Sequence, residues 1–255
     1  MRGLNGFATI TLLAMTAAMA ACGPTPGDRE IEASSGELAQ SSPQATNPET
    51  LFDRALDRTE TQDWQGAIAD LKEAAAGFAQ QGDERRQAMA EAIVRYLDWW
   101  LGWTEQQREG VEGGVMPDWQ SFGRCLEDAS GQICGYALQF AQSEDDQIEG
   151  VLLLQKHLED VPTPGGGSYP VFAIVDAEVV YPPLGAGESW TPTCERLDGE
   201  SSPGMMAIVT SGGYEDSEYY PEVREVWWAN VEEESLQSQR SGDAVRCFNP
   251  CPGGC

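Results

Sequence analysis

The chain has 255 residues, 42 Asp plus Glu against 15 Lys plus Arg, and a formal net charge of −27. A surface that negative repels phosphate backbones and anionic lipid headgroups, which excludes nucleic acid as a partner. The length is enough for one or two domains with a true apolar core.

Residues 1–21 read MRGLNGFATITLLAMTAAMAA, with Arg2 as the single charge. The apolar run has the length of a signal-peptide core and is short for a membrane span. It ends Met19-Ala20-Ala21-Cys22-Gly23. Small residues directly before a cysteine resemble the bacterial lipobox. That resemblance implies cleavage before Cys22, a lipid on its sulfur and attachment to the bacterial cell envelope. With Gly23 and no Asp after the cysteine, it points to the outer membrane over the inner one. The competing reading is ordinary signal cleavage after Ala18-Met19-Ala20. Residues 22–48 are rich in Ser, Pro, Gly and Ala and poor in large apolar groups. They cannot bury enough surface to offset their ordering entropy, and they read as a flexible tether.

Three helices are predicted next, within a helical domain over residues 49–160. Asn47 caps the first, with Pro48 at its first position, and the helix runs Glu49–Thr61. Asp63 caps the second, which Gly82 ends after Gln80. The third starts at Asp83 and reaches Gln107. In the hairpin 49–81, Asp63-Trp64-Gln65-Gly66-Ala67-Ile68 together with Ala55, Leu71 and Ala74 resembles a tetratricopeptide repeat. Arg54 and Arg58 depart from it, standing where that family has apolar residues. A generic helical hairpin is the alternative reading. The resemblance implies a protein or peptide partner, received near Trp64, Ile68 and Leu71. On the third helix Tyr96, Trp99, Trp100 and Trp103 share one face, a stripe that reads as core before it reads as a ligand platform.

After a Gly-rich break at Gly110–Pro117, a short helix is expected at Asp118–Asp128 and a further helix at Asp145–Glu159. Val161–Gly167 reads as a linker or a long turn. Beyond it, strand signals at Tyr169–Tyr181, Met205–Thr210, Glu222–Val231 and Ala244–Phe248 define a small antiparallel β domain over residues 165–255. The fold class expected is therefore α+β.

Seven cysteines are odd in number for an exported chain. Setting Cys22 aside leaves Cys125, Cys134, Cys194, Cys247, Cys251 and Cys255, an even set suited to disulfides in an oxidising compartment. Spacing alone does not fix the pairing. The expected set joins Cys125 to Cys134 across a Ser-Gly turn, Cys194 to Cys247 beside two strands, and Cys251 to Cys255. A metal site at Cys247-x3-Cys251-x3-Cys255 would need a helix, which Pro250, Pro252, Gly253 and Gly254 forbid. No metal and no cofactor are expected.

No catalytic residues are assigned. His157 is the single histidine and is placed near a helix end, where its charge would suit the helix dipole. Gly165-Gly166-Gly167-Ser168 lacks the ending of a phosphate loop. The acidic runs at Glu144–Asp146 and Glu215–Glu218 read as solvated turns. The function expected is a non-catalytic envelope lipoprotein acting as a protein- or peptide-binding adaptor. An enzyme with a carboxylate site and a structural or stress protein of the envelope remain the alternatives.

Overall fold

The computed structural model describes residues 47–109, 119–143, 150–197, 204–210, 217–240 and 245–250. The expected signal segment, the lipidation site Cys22, most of the tether and the Cys251–Cys255 pair lie outside them. So do the acidic run at 144–146 and residues 215–216.

The chain is α+β: three helices followed by antiparallel sheets. The helices are α1 (Pro48–Glu60), α2 (Trp64–Gln81) and α3 (Glu84–Arg108). Their ends follow local chemistry. The Asn47 side chain accepts the Glu49 N–H at 3.2 Å. Asp63 accepts from Gly66 and Asp83 from Arg86, each at 3.1 Å. Gly82 closes α2 with φ 74°, a left-handed conformation that costs glycine nothing. Ala55, Ala67 and Ala74 are fully buried and let the α1–α2 hairpin close tightly. Arg54 and Arg58, the two residues that break the repeat pattern, both reach Asp70 of α2. Arg54 binds it with two nitrogens at 2.7 and 2.6 Å, and Arg58 Nε lies 2.8 Å away. The pairing holds the Asp70 carboxyl below its usual range, chiefly through the Arg54 bonds.

Strands β1 (Trp119–Leu126), β2 (Tyr136–Ser143), β3 (Val151–Pro162) and β4 (Ser168–Val179) form one antiparallel sheet in that order. Two expectations are corrected here. Residues 119–126 and 151–162 are strands, where the sequence predicts helices at Asp118–Asp128 and Asp145–Glu159. The apolar run Val151–Leu154 explains the second error. Val151 and Leu153 pack under the helices, whereas Leu152 and Leu154 pack against a second sheet, so both faces are buried and the run loses its alternation. Val161–Gly167 is not a linker: Val161 and Pro162 end β3, and Thr163–Gly167 is the turn that closes the β3–β4 hairpin, with Thr163 N–H bonded to Gly167 O at 2.8 Å. The helical part therefore ends at Arg108, and one sheet runs across the expected domain boundary.

The second sheet takes β5 (Glu188–Thr191), β7 (Met205–Thr210), β8 (Glu222–Asn230) and β9 (Ser235–Arg240) in that order. A ribbon of β6 (Cys194–Arg196) and β10 (Val245–Cys247) covers part of its far side through Met205, Ala207, Val209 and Val226. The layers thus run helices, first sheet, second sheet, ribbon. Between the sheets Phe140, Trp190 and Trp227 stack with centroids 4.1 and 5.2 Å apart.

Two of the expected disulfides are present. Cys125 joins Cys134 across the β1–β2 turn, and Cys194 joins Cys247, its register partner in the ribbon.

Candidate binding pocket

The helices do not cover the first sheet evenly. Toward β1 and β2 the sheet presents small side chains upward, Gly123 and Ala137, while α3 above presents Trp100 and Trp103. The mismatch leaves a cavity of about 240 Å³ between the two layers. Trp64 stands at the start of α2 on one side, and Phe172 and Ile174 of β4 on another. Trp100 and Trp103 lie 5.1 Å apart, and Tyr169 packs edge-on against both.

The floor is polar but uncharged. Tyr96 is 4% exposed and Gln155 3% exposed. Gln155 Nε2 donates to the Tyr96 hydroxyl at 2.8 Å, and that hydroxyl donates to Gln139 Oε1 at 3.0 Å. Burial pushes the Tyr96 phenol up to about 12, so it stays protonated through the physiological range. Arg124 borders the cavity, but its guanidinium turns to the opposite face of the sheet and lies 3.4 Å from Pro192 O. Among the described residues no Asp or Glu lines the cavity.

The three hairpin residues expected to meet a partner fall into two groups. Ile68 and Leu71 are 4% and 0% exposed and belong to the core beneath α3, so no partner reaches them. Trp64 is half-buried and lines the cavity. The aromatic stripe divides likewise. Tyr96 is core and floor at once, whereas Trp100 and Trp103 are half-buried walls. The two glutamines carried no signal of their own, apart from the position of Gln155 at the end of an apolar run.

A second cleft, of about 590 Å³, lies between the β1–β2 turn, β3 and the β8–β9 turn. Several of its polar groups are already engaged by neighbouring side chains. Lys156 lies 2.7 Å from Glu234 and 3.9 Å from Glu60, and the Tyr136 hydroxyl donates to Glu234 at 2.5 Å. Asp128 closes its own turn by accepting from Ser130 and Gln132. His157, which lies in β3 and not at a helix end, faces Asp160 at 3.3 Å and the Phe172 ring.

Asp176 and Glu178 on β4 are carboxyls raised by burial. Each is held by the fold. Asp176 accepts N–H bonds from Ala177 at 2.8 Å and Leu236 at 2.6 Å, tying the two sheets, and Glu178 binds Arg85 of α3 at 2.7 Å. Neither lines the aromatic cavity or the polar cleft. Among the described residues no three His, Cys, Asp or Glu side chains gather into a metal-holding group. No helix among them is long and apolar enough to cross a membrane.

The chain has no significant match to any protein-family model, curated protein or solved structure.

Proposed function

We propose that the protein is a non-catalytic, lipid-anchored protein of the bacterial envelope that binds a protein or peptide partner through the aromatic pocket. The anchor reading rests on the Met19-Ala20-Ala21-Cys22 sequence, and the outer membrane on Gly23. The binding reading rests on one observation: an uncharged cavity walled by Trp64, Trp100 and Trp103 in a chain of net charge −27. A cavity of about 240 Å³ is smaller than the roughly 300–1,000 Å³ taken by drug-sized ligands, which suits one side chain of a partner. Aromatic pockets that seat one buried anchor side chain are the usual energetic centre of a protein interface.

The enzyme alternative has one observation in its favour, the raised carboxyls of Asp176 and Glu178. Their oxygens are engaged by Leu236, Ala177 and Arg85, which suits a structural role better than a catalytic one.

The test is a photo-crosslinking amino acid at Gln65, the exposed neighbour of Trp64, in the full chain in living cells. Amine-reactive reagents are unsuited, because Lys72 and Lys156 are the only lysines. One dominant protein or peptide adduct, on a mature chain whose N-terminal peptide carries a lipidated Cys22, is the expected result. A lipidated chain with no adduct overturns the adaptor reading.

A further inference from the structure

The floor of the pocket has two hydrogen-bonding positions that the fold does not use. In the chain Gln155 to Tyr96 to Gln139, the Tyr96 hydroxyl accepts from Gln155 and donates to Gln139. Each glutamine spends one end of its amide on that hydroxyl. Among the described residues, Gln155 Oε1 and Gln139 Nε2 have no further partner, and both side chains line the cavity. Gln155 is only 3% exposed as a whole, and its Oε1 opens onto the cavity and is not sealed in the core. An unpaired acceptor and an unpaired donor open to an aromatic cavity are the polar groups that would orient a ligand there. Exchanging O and N in both amides would invert the two roles but leave one donor and one acceptor on offer.

We infer that the aromatic pocket takes an uncharged aromatic group joined to an amide, with the ring between Trp64, Trp100 and Phe172 and the amide's N–H and C=O meeting Gln155 and Gln139. The inference rests on the binding role proposed above and specifies the chemistry of that same site. Ring faces and edges favour an aromatic occupant in offset or edge-on contact. The idle donor and acceptor match an amide, which offers one of each. Charge is disfavoured on both sides. No cationic side chain is turned into the cavity to receive an anion. Of the 42 acids in the chain, none lines it among the described residues to receive a cation. A buried ion without such a partner forfeits its hydration. The same chemistry has two sources: an aromatic residue within a peptide, whose own backbone supplies the amide, or a free small aromatic amide.

The probe is N-acetylphenylalaninamide, titrated into the full folded protein and followed by calorimetry and by the indole N–H signals of Trp64, Trp100 and Trp103. Saturable binding that moves those signals is expected. The anion N-acetylphenylalanine and the cation phenethylamine should bind at least roughly tenfold more weakly. Gln155→Leu and Gln139→Leu should each weaken the neutral probe roughly fivefold to tenfold. Gln139 is only half-buried, so its variant serves if Gln155→Leu fails to fold. No saturable binding, equal or tighter binding of either ion, or full affinity in a folded glutamine variant overturns the inference. An acetylated pentapeptide with a central phenylalanine separates the sources. If it binds as well as the amide, the source is a peptide. If it is excluded while the amide binds, the ligand class stands and the adaptor reading falls. A crosslinked partner at Gln65 with no binding of any neutral amide sinks the ligand class alone.

Discussion

The Thr59 hydroxyl accepts the backbone N–H of Ile174 at 2.9 Å and lies 3.1 Å from the same residue's carbonyl oxygen. Thr59 is the penultimate residue of α1 and has no exposed surface. Ile174 lies on β4, an edge strand of the first sheet, where the β3–β4 register shifts. One helix side chain thus satisfies an edge strand that would otherwise present unpaired backbone groups. It also fixes the height of the helices over the sheet beside the pocket, since Ile174 is one of its walls.

Thr59→Val keeps the shape and removes the hydroxyl. The Ile174 N–H is then left buried without this partner, at a cost of about 1–3 kcal/mol. Chemical denaturation should show a lowered midpoint with little change in slope, as expected when stability alone is altered. Thr59→Ser restores the hydroxyl and should recover most of the loss. Equal stability of the valine variant would show that the bond contributes nothing net.

The fold was legible in the sequence where the determinants are local. Asn47, Asp63 and Gly82 mark the helix ends through their own side chains or their lack of one. The Cys125–Cys134 pair follows from a short turn. What failed was long-range. Val151–Leu154 reads as part of a helix because burial on both faces erases the alternation of a strand. Tyr96, Gln139 and Gln155 meet across separations of 43 and 59 residues, so no window of sequence contains the floor of the pocket. Trp64 was identified through its hairpin, and it reaches the pocket only because α3 and the sheet build one there. The same pattern offers Ile68 and Leu71 to a partner, yet both are buried in the core that the three helices share with the sheet.

The two disulfides should differ in what they contribute. Cys194–Cys247 closes a loop of sequence separation 53, and Cys125–Cys134 one of separation 9. In the chain-entropy account the longer loop removes more freedom from the unfolded state: about 4 kcal/mol against about 2.5 kcal/mol. Replacing each pair with serines or alanines should therefore lower the unfolding midpoint more for Cys194–Cys247. Thermal or urea unfolding of the two double variants checks the order. The reverse order would show that the β1–β2 turn needs its crosslink for reasons other than loop closure.

Gly150 precedes β3, and its carbonyl accepts the Val180 N–H at 3.1 Å. A Cβ at this position would run into the Phe140 ring, which is fully buried and stacked on Trp190. Gly150→Ala should cost about 1–3 kcal/mol through overpacking. The indole environment of Trp190 should change with it, visible in near-ultraviolet circular dichroism. Pairing the change with Phe140→Leu, which shortens the ring away, should recover part of the loss relative to the sum of the single effects.

Asp70 gives the acid side of the stability profile a particular sign. Its folded pKa lies below the ordinary value, held there first by the hydrogen bonds from Arg54 and then by the charges of Arg54 and Arg58. A group depressed in the folded state stabilises the fold above its unfolded pKa of about 3.9 and loses that contribution as pH falls through the folded value. Asp70→Asn should therefore destabilise the protein at neutral pH by about 1 kcal/mol, a figure reduced by the solvent around the arginines. The difference between variant and parent should vanish below the carboxylate range, where the parent's Asp70 is also uncharged. Urea unfolding of both proteins at neutral pH and at successive acid steps reads this directly. A difference that persists unchanged at the most acidic step would mean that Asp70 acts through shape and not through its charge.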